Sequence, residues 1–212
     1  MSTNEIKISI LHKKIRMDTL KQKTKYPFAG LIQYGAKANG EKPICHTAVL
    51  FEASNGKWVF ESIGSGLRLV DFSEFKNEVK LQNGECFADT IDVISEEYYY
   101  NKILPQLQAW IEQNNKYPFK KALLSFCFSE NASFKDKLLL KVLKFVTFFI
   151  PSKGYFYCTE IMALIIKNVI FVRKNVISNN ASKVLAKIQE KGTAKIQPSN
   201  FYNISNQVFK II

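Results

Sequence analysis

The stretch HTAVLFEASNGKWVFES, His46 to Ser62, decides how this chain folds. His46-Thr47-Ala48-Val49-Leu50-Phe51 and Trp58-Val59-Phe60-Glu61-Ser62 are two apolar, strand-like runs. Between them stand Ser54-Asn55-Gly56, small and polar residues that accept positive φ, so the segment reads as a β-hairpin. Pairing across that turn brings Glu61 near the rung of His46. A second turn, Gly64-Ser65-Gly66, leads into Leu67-Arg68-Leu69-Val70 and the short Phe72-Ser73-Glu74-Phe75. Another strand from Cys86 to about Ile94 completes a small antiparallel sheet.

Upstream, residues 5–25 carry Ile6, Ile8, Ile10, Leu11, Ile15 and Leu20 among lysines, a pattern read as a short strand followed by a basic helix. Tyr26-Pro27-Phe28-Ala29-Gly30 breaks it, and Leu31-Ile32-Gln33-Tyr34 restarts a short apolar element. A Gly- and Lys-rich loop ending at Pro43 then delivers the chain to His46. Downstream, Ser95 is a good N-cap, with Glu96 and Glu97 in the first turn favoured by the helix dipole. The helix predicted there runs from about Glu96 to Gln113 and is bent or divided at Pro105. Further helices are expected over Lys135 to Ile150, from Cys158 onward, and over Ser182 to Lys191 before Gly192. Strands first and helices mostly after make an α+β fold.

A chain of 212 residues with 47% hydrophobic residues is enough for one well-buried core, and one domain spanning 1–212 is the expectation. Four cysteines (Cys45, Cys86, Cys127, Cys158) without CxxC spacing, beside only two histidines, argue against a metal site and against a disulfide framework. The thiols read as reduced, which fits the cytoplasm. No export signal is visible after Met1-Ser2-Thr3-Asn4-Glu5, which leaves lysis, a secretion apparatus or a phage particle as routes of delivery outward. The apolar stretch Leu138 to Ile150 is interrupted by Lys141 and Lys144 and ended by Pro151, short of the ~18 to 20 apolar residues of a membrane span. An integral membrane protein is therefore not expected.

The formal charge of +12 is uneven: Lys7 to Lys25 and Lys135 to Lys191 are basic, and Glu52 to Glu97 is mostly acidic. Such asymmetry either marks a surface for an anionic partner or simply solvates the fold. With few arginines and no nucleic-acid motif, no specific nucleic-acid partner is predicted.

Chemistry enters with Cys158, which stands between Tyr155-Phe156-Tyr157 and the helix-like run from Thr159 to Ile166. A thiol acyl-transfer site needs a thiolate, a base that makes it, and a group that holds the base in one tautomer. In the first turn of a helix, Cys158 would feel unpaired backbone N–H groups and the positive end of the dipole, both of which favour the thiolate. His46 is the candidate base, since His12 lies in a Lys-rich stretch with no apolar setting. Glu61, on the neighbouring strand, could accept a hydrogen bond from the second ring nitrogen. Taken singly, each of the three also has an ordinary packing role.

Taken in order, these residues resemble the circularly permuted NlpC-type papain-like enzymes, the YiiX-like group. His46 to Phe51, Trp58 to Ser62, Gly66-Leu67-Arg68-Leu69 and Phe72 to Phe75 look like that group's histidine strand, glutamate strand and following segment. Tyr157-Cys158-Thr159-Glu160-Ile161 is similar to its nucleophile motif, and Gln197-Pro198-Ser199-Asn200-Phe201-Tyr202 to its closing element. The resemblance covers about Gly30 to Tyr202, with a helical insertion at about 131–152. It implies a permuted papain-like fold: a small, barrel-like antiparallel sheet packed against helices that include the nucleophile helix. It also implies Cys158 as nucleophile, His46 as general base and acid, and Glu61 as the orienting residue. Backbone N–H groups at the start of the Cys158 helix would hold the oxyanion, with Tyr155, Tyr157 and Thr159 as further contributors to oxyanion or substrate. Thr159 stands where the group usually has Ser, and Ala29-Gly30-Leu31 lacks the acidic residue that commonly opens the first strand.

The expected activity is that of a cysteine peptidase or amidase, hydrolysing a peptide, isopeptide or peptidoglycan amide through an acyl-enzyme without a cofactor. A lipid acyltransferase or thioesterase of the same fold, with an acyl-lipid substrate, is the alternative from the same class. The basic, apolar segment Phe134 to Ile150 would then lie on an anionic membrane surface. A non-catalytic binding or virion-associated protein that has kept the fold is the third.

Overall fold

Strand β1 (Glu5–Ile15) lies at the centre of the sheet, flanked by the hairpin on one side and by β5 on the other. The computed structural model describes residues 4–38, 40–113, 158–171, 178–191 and 198–212. Five further strands, β2 (His46–Ala53), β3 (Gly56–Ile63), β4 (Gly66–Asp71), β5 (Gly84–Ser95) and β6 (Val208–Lys210), give the order β4-β3-β2-β1-β5-β6, all antiparallel. Helices α1 (Leu20–Lys25), α2 (Pro27–Ala38), α3 (Phe72–Leu81), α4 (Glu96–Tyr98), α5 (Leu104–Glu112), α6 (Cys158–Phe171) and α7 (Asn179–Lys191) complete the α+β arrangement.

The sheet is open, which corrects the barrel-like closure expected above. Among the described residues its edges are β4 and the three-residue β6, which pairs only with Phe87 to Asp89 of β5. So short an edge strand gives no ladder on which to close a barrel. The helical insertion at about 131–152, the predicted helix Lys135 to Ile150, Cys127, Tyr155 and Tyr157 lie outside the described residues.

Both faces of the sheet are covered, and side-chain alternation divides the core accordingly. On one face Ile6, Ile8 and Ile10 of β1, Val49 and Phe51 of β2 and Phe60 of β3 pack with Ile161, Met162 and Ile165 of α6 and Val184 and Ile188 of α7. On the other face Leu11, Ala48, Leu50, Val59 and Cys86 pack with Phe75 and Val79 of α3. Each large apolar side chain buried in this way stabilises the fold by roughly 1.5–3 kcal/mol relative to its exposed state.

Local structure departs from the expectations where one residue outweighs a pattern. The β2–β3 turn contains no left-handed residue; Gly56 is needed because a Cβ there would lie 2.8 Å from the Trp58 ring. The first strand is eleven residues long rather than short, since β2 and β5 pair on either side of it. Tyr26-Pro27 ends α1 as read, but Gly30 does not break the chain: α2 runs through it, with Pro27 as its first residue. Helix α3 replaces the short element at Phe72 to Phe75, capped by Asp71, whose side chain accepts from the Ser73 N–H at 2.7 Å.

The helix predicted from Glu96 begins where expected, with the Ser95 side chain accepting from the Tyr98 N–H. Its division at Pro105 takes the form of a π-helical turn over Tyr99–Ile103, in which the Leu104 N–H reaches back five residues to the Tyr99 carbonyl. The wider turn relieves the clash between a proline ring and the carbonyl four residues before it. Helix α7 starts three residues earlier than predicted because Ser178, not Ser182, supplies the hydroxyl that accepts from the Ala181 N–H.

Candidate active site

A strand start and a helix start meet at one end of the sheet. His46 is the first residue of β2, opposite Lys13 of β1, and Cys158 is the first residue of α6. Alternation sends Val49 and Phe51 toward α6 and puts His46 on the face of Ala48 and Leu50, toward α3; it is the position of His46 at the very start of β2 that lets its ring reach the end of α6. Helix α6 is fixed against β2 and β3 through buried Ile161, Met162, Ile165 and Ile166, and that packing sets where the sulfur stands.

Glu61 reaches the imidazole by register. Leu50 pairs with Val59 and Val49 with Phe60, so the next rung sets Glu61 across from Ala48 and diagonal to His46. Its Oε2 lies 2.7 Å from His46 Nε2, which leaves Nδ1 as the ring nitrogen for Cys158. The other carboxylate oxygen, Oε1, accepts from Arg68 Nε at 2.9 Å and Nη2 at 2.5 Å. Arg68 is the direct cross-strand partner of Glu61 on β4, and its Nη1 and Nη2 donate to Glu78 of α3 at 2.7 and 2.5 Å. Imidazole, carboxylate, guanidinium and carboxylate thus follow one another in a line.

Three thiols are described, all buried, and their acidities diverge. Burial pushes the Cys86 thiol up to about 12, and it raises Cys45 as well. Burial also opposes the Cys158 thiolate, but the His46 hydrogen bond and charge, the Thr47 backbone N–H and the Thr159 hydroxyl outweigh it and bring the thiol down to about 7. Thr159 is fully buried, with its hydroxyl 3.7 Å from the Cys158 sulfur. For His46, burial disfavours the imidazolium, yet hydrogen bonds to Cys158 and Glu61 raise it to about 9. Glu61, only 1% exposed, would be neutralised by burial alone; His46 and Arg68 hold it ionised, down at about 2. Between these limits sulfur and ring form a thiolate–imidazolium pair. The sulfur side is closed, with Cys158 2% exposed, whereas the His46 side chain keeps 14% of its surface open.

Cys158, His46 and Glu61 are therefore brought together; Thr159 adjoins the sulfur; Tyr155 and Tyr157 are not described. Arg68 and Glu78 belong to the same network and were not picked out from the sequence. The signal for Arg68 was an arginine inside the apolar run Leu67-Arg68-Leu69-Val70, paired to Glu61 across the Gly64-Ser65 turn.

His12, set aside above for want of an apolar setting, is instead fully buried on β1, facing Thr47 of β2 and edge-on to the Tyr202 ring. Both of its ring nitrogens and the Thr47 hydroxyl are buried without a hydrogen-bond partner among the described residues.

No family model, curated protein or solved structure matches this chain. Among the described residues, no group of three or more His, Cys, Asp or Glu side chains is placed to hold a metal ion, and no helix is long and apolar enough to cross a membrane.

Proposed function

We propose that this chain is a thiol hydrolase of the circularly permuted papain-like kind, cleaving an amide bond of a peptide, isopeptide or peptidoglycan through an acyl-enzyme. One observation carries the reading. Of the three thiols among the described residues, only the one at a helix start beside an imidazole is drawn toward its thiolate, and that imidazole is backed by an ionised carboxylate. Packing alone would have left Cys158 as inert as Cys86.

In this reading the Cys158 thiolate attacks the carbonyl carbon, and the carbonyl π electrons move onto oxygen. Backbone N–H groups in the first turn of α6, which have no partners within the helix, supply donors for that oxyanion. As the C–N bond breaks, its electron pair stays on nitrogen and the His46 imidazolium gives that nitrogen a proton. The thioester left on Cys158 is then hydrolysed by a water that gives its proton to neutral His46. Glu61 keeps the ring in one orientation and one tautomer through both steps.

Mass-spectrometric mapping of chloroacetamide labelling tests the proposal. Cys158 is expected to react far faster than Cys45, Cys86 or Cys127, and His46→Ala to erase the difference. Equal labelling of the four thiols would favour a binding protein and end the enzyme reading.

A further inference from the structure

The line of charges behind His46 is longer than a nucleophile, a base and an orienting group require. Glu61 is almost wholly buried, and a buried carboxylate is stable as an anion only while a cation faces it. His46 meets that condition only while it is protonated, and in the proposed cycle it becomes neutral each time the leaving group takes its proton. At that moment a Glu61 with no other cation would draw a proton back and oppose the transfer. Arg68 is permanently charged, lies directly across from Glu61 on β4, and gives two N–H groups to Oε1 while leaving Oε2 for the ring. The fork also fixes the carboxylate plane.

We propose that Arg68 is a positioning residue acting through Glu61: it keeps the carboxylate ionised and aimed at His46 when the ring is neutral, so that the imidazolium releases its proton to the leaving group. The inference rests on the hydrolase reading and adds to it a residue that touches neither sulfur nor substrate. Glu78, on α3, orients the guanidinium and offsets part of its charge, so the α3 face of the sheet sets how strongly Arg68 acts on the site. The other charged or titratable groups around this line are Cys158 of α6, Lys13 opposite His46, Cys45, Cys86 of β5 and Glu74, which lies 3.8 Å from Arg68.

The sign of a titration shift separates this role from a scaffolding one. Without Arg68 the neutral-ring state leaves an uncompensated anion, so His46 holds its proton more tightly. Without the Glu78 charge the guanidinium acts more strongly, so His46 releases its proton more easily. If the network were only a scaffold, both substitutions would loosen the His46–Glu61 bond and move His46 the same way, down toward an ordinary imidazole.

The experiment is an NMR pH titration of the imidazole ring resonances of the full chain, whose two histidines are His12 and His46. Arg68→Gln is expected to move the His46 midpoint up by about half a pH unit or more, Glu78→Gln to move it down, and Arg68→Lys to stay near wild type. Should Arg68→Gln fail to fold, Arg68→Lys decides: it keeps the charge but loses the two-pronged fork on Oε1, so a midpoint near wild type supports the proposal and a fall, as a scaffold requires, overturns it. An unchanged midpoint in Glu78→Gln, or a fall in Arg68→Gln, overturns it. If the wild-type His46 itself titrates as an ordinary histidine, the hydrolase reading falls; if only the variants misbehave, Arg68 alone does.

Discussion

Acidifying a solution of this protein from about pH 6.5 to about pH 5 is expected to remove about 2 kcal/mol of stability, most of it through His12. His12 is 0% exposed, neither ring nitrogen has a partner among the described residues, and burial holds its imidazolium down at about 3 against 6.5 in an open chain. As the pH falls through 6.5 the unfolded state takes up a proton that the folded state refuses, so stability is full above 6.5 and declines below it. The slope approaches about 1.4 kcal/mol per pH unit as the unfolded imidazole becomes fully protonated. Other groups contribute less there. The stabilisation from Glu61 and Glu85, both held at about 2, is lost only once the pH falls below the ordinary carboxylate value of 4.5. Through the lower part of the window His46 is protonated and Cys158 is a thiol in both states. Urea unfolding midpoints at the two pH values measure the loss, and His12→Leu should flatten it while leaving the neutral-pH protein at least as stable, because an unpartnered buried ring has been removed. A wild type equally stable at both pH values, or a His12→Leu variant with the same slope, would refute this assignment.

Glu61→Gln keeps a hydrogen-bonding group beside His46 but removes its charge, so the imidazolium should fall from about 9 toward 6.5 and the chloroacetamide rate at Cys158 near neutral pH should drop about tenfold; an unchanged rate would show that the carboxylate charge is idle. Asp71→Ala deletes the cap of α3 and should cost about 1 kcal/mol, seen as faster amide exchange along Phe72–Leu81, with Cys158 reactivity unaltered. Gly56→Ala drives a methyl into the Trp58 ring, which itself stacks on Tyr99; a loss of about 1 kcal/mol in thermal unfolding and a shifted tryptophan emission are expected.

The hairpin was legible because a two-residue side-chain period and a short turn leave one register, and that register alone put Glu61 beside His46. The same logic, carried across the Gly64-Ser65 turn, holds Arg68 against Glu61, but an arginine in an apolar strand reads equally well as a surface residue until the buried carboxylate is seen. β1 was harder to read: lysines at Lys7, Lys13 and Lys14 disguise a strand whose burial comes from neighbours far away in sequence. α2 was broken at Gly30 by rule, although the glycine sits in open space where a helix passes without strain. Asp71 with Phe72, Phe75 and Val79 was a readable cap and helical stripe that the short run Phe72 to Phe75 hid. The meeting of Cys158 with His46 had no local signature at all. Only the order of the motifs pointed to it, since contacts of such separation are decided by how α6 packs on β2 and β3.

Ultraviolet titration of the Cys158 thiolate, taken as the difference between wild type and Cys158→Ser, tests directly whether the imidazole activates the sulfur. Half-ionisation is expected at about 7 in the wild type and at or above the ordinary thiol value of 9.0 in His46→Ala. A Cys158 that ionises with an ordinary or raised midpoint in both proteins would contradict it, and with it the proposed chemistry.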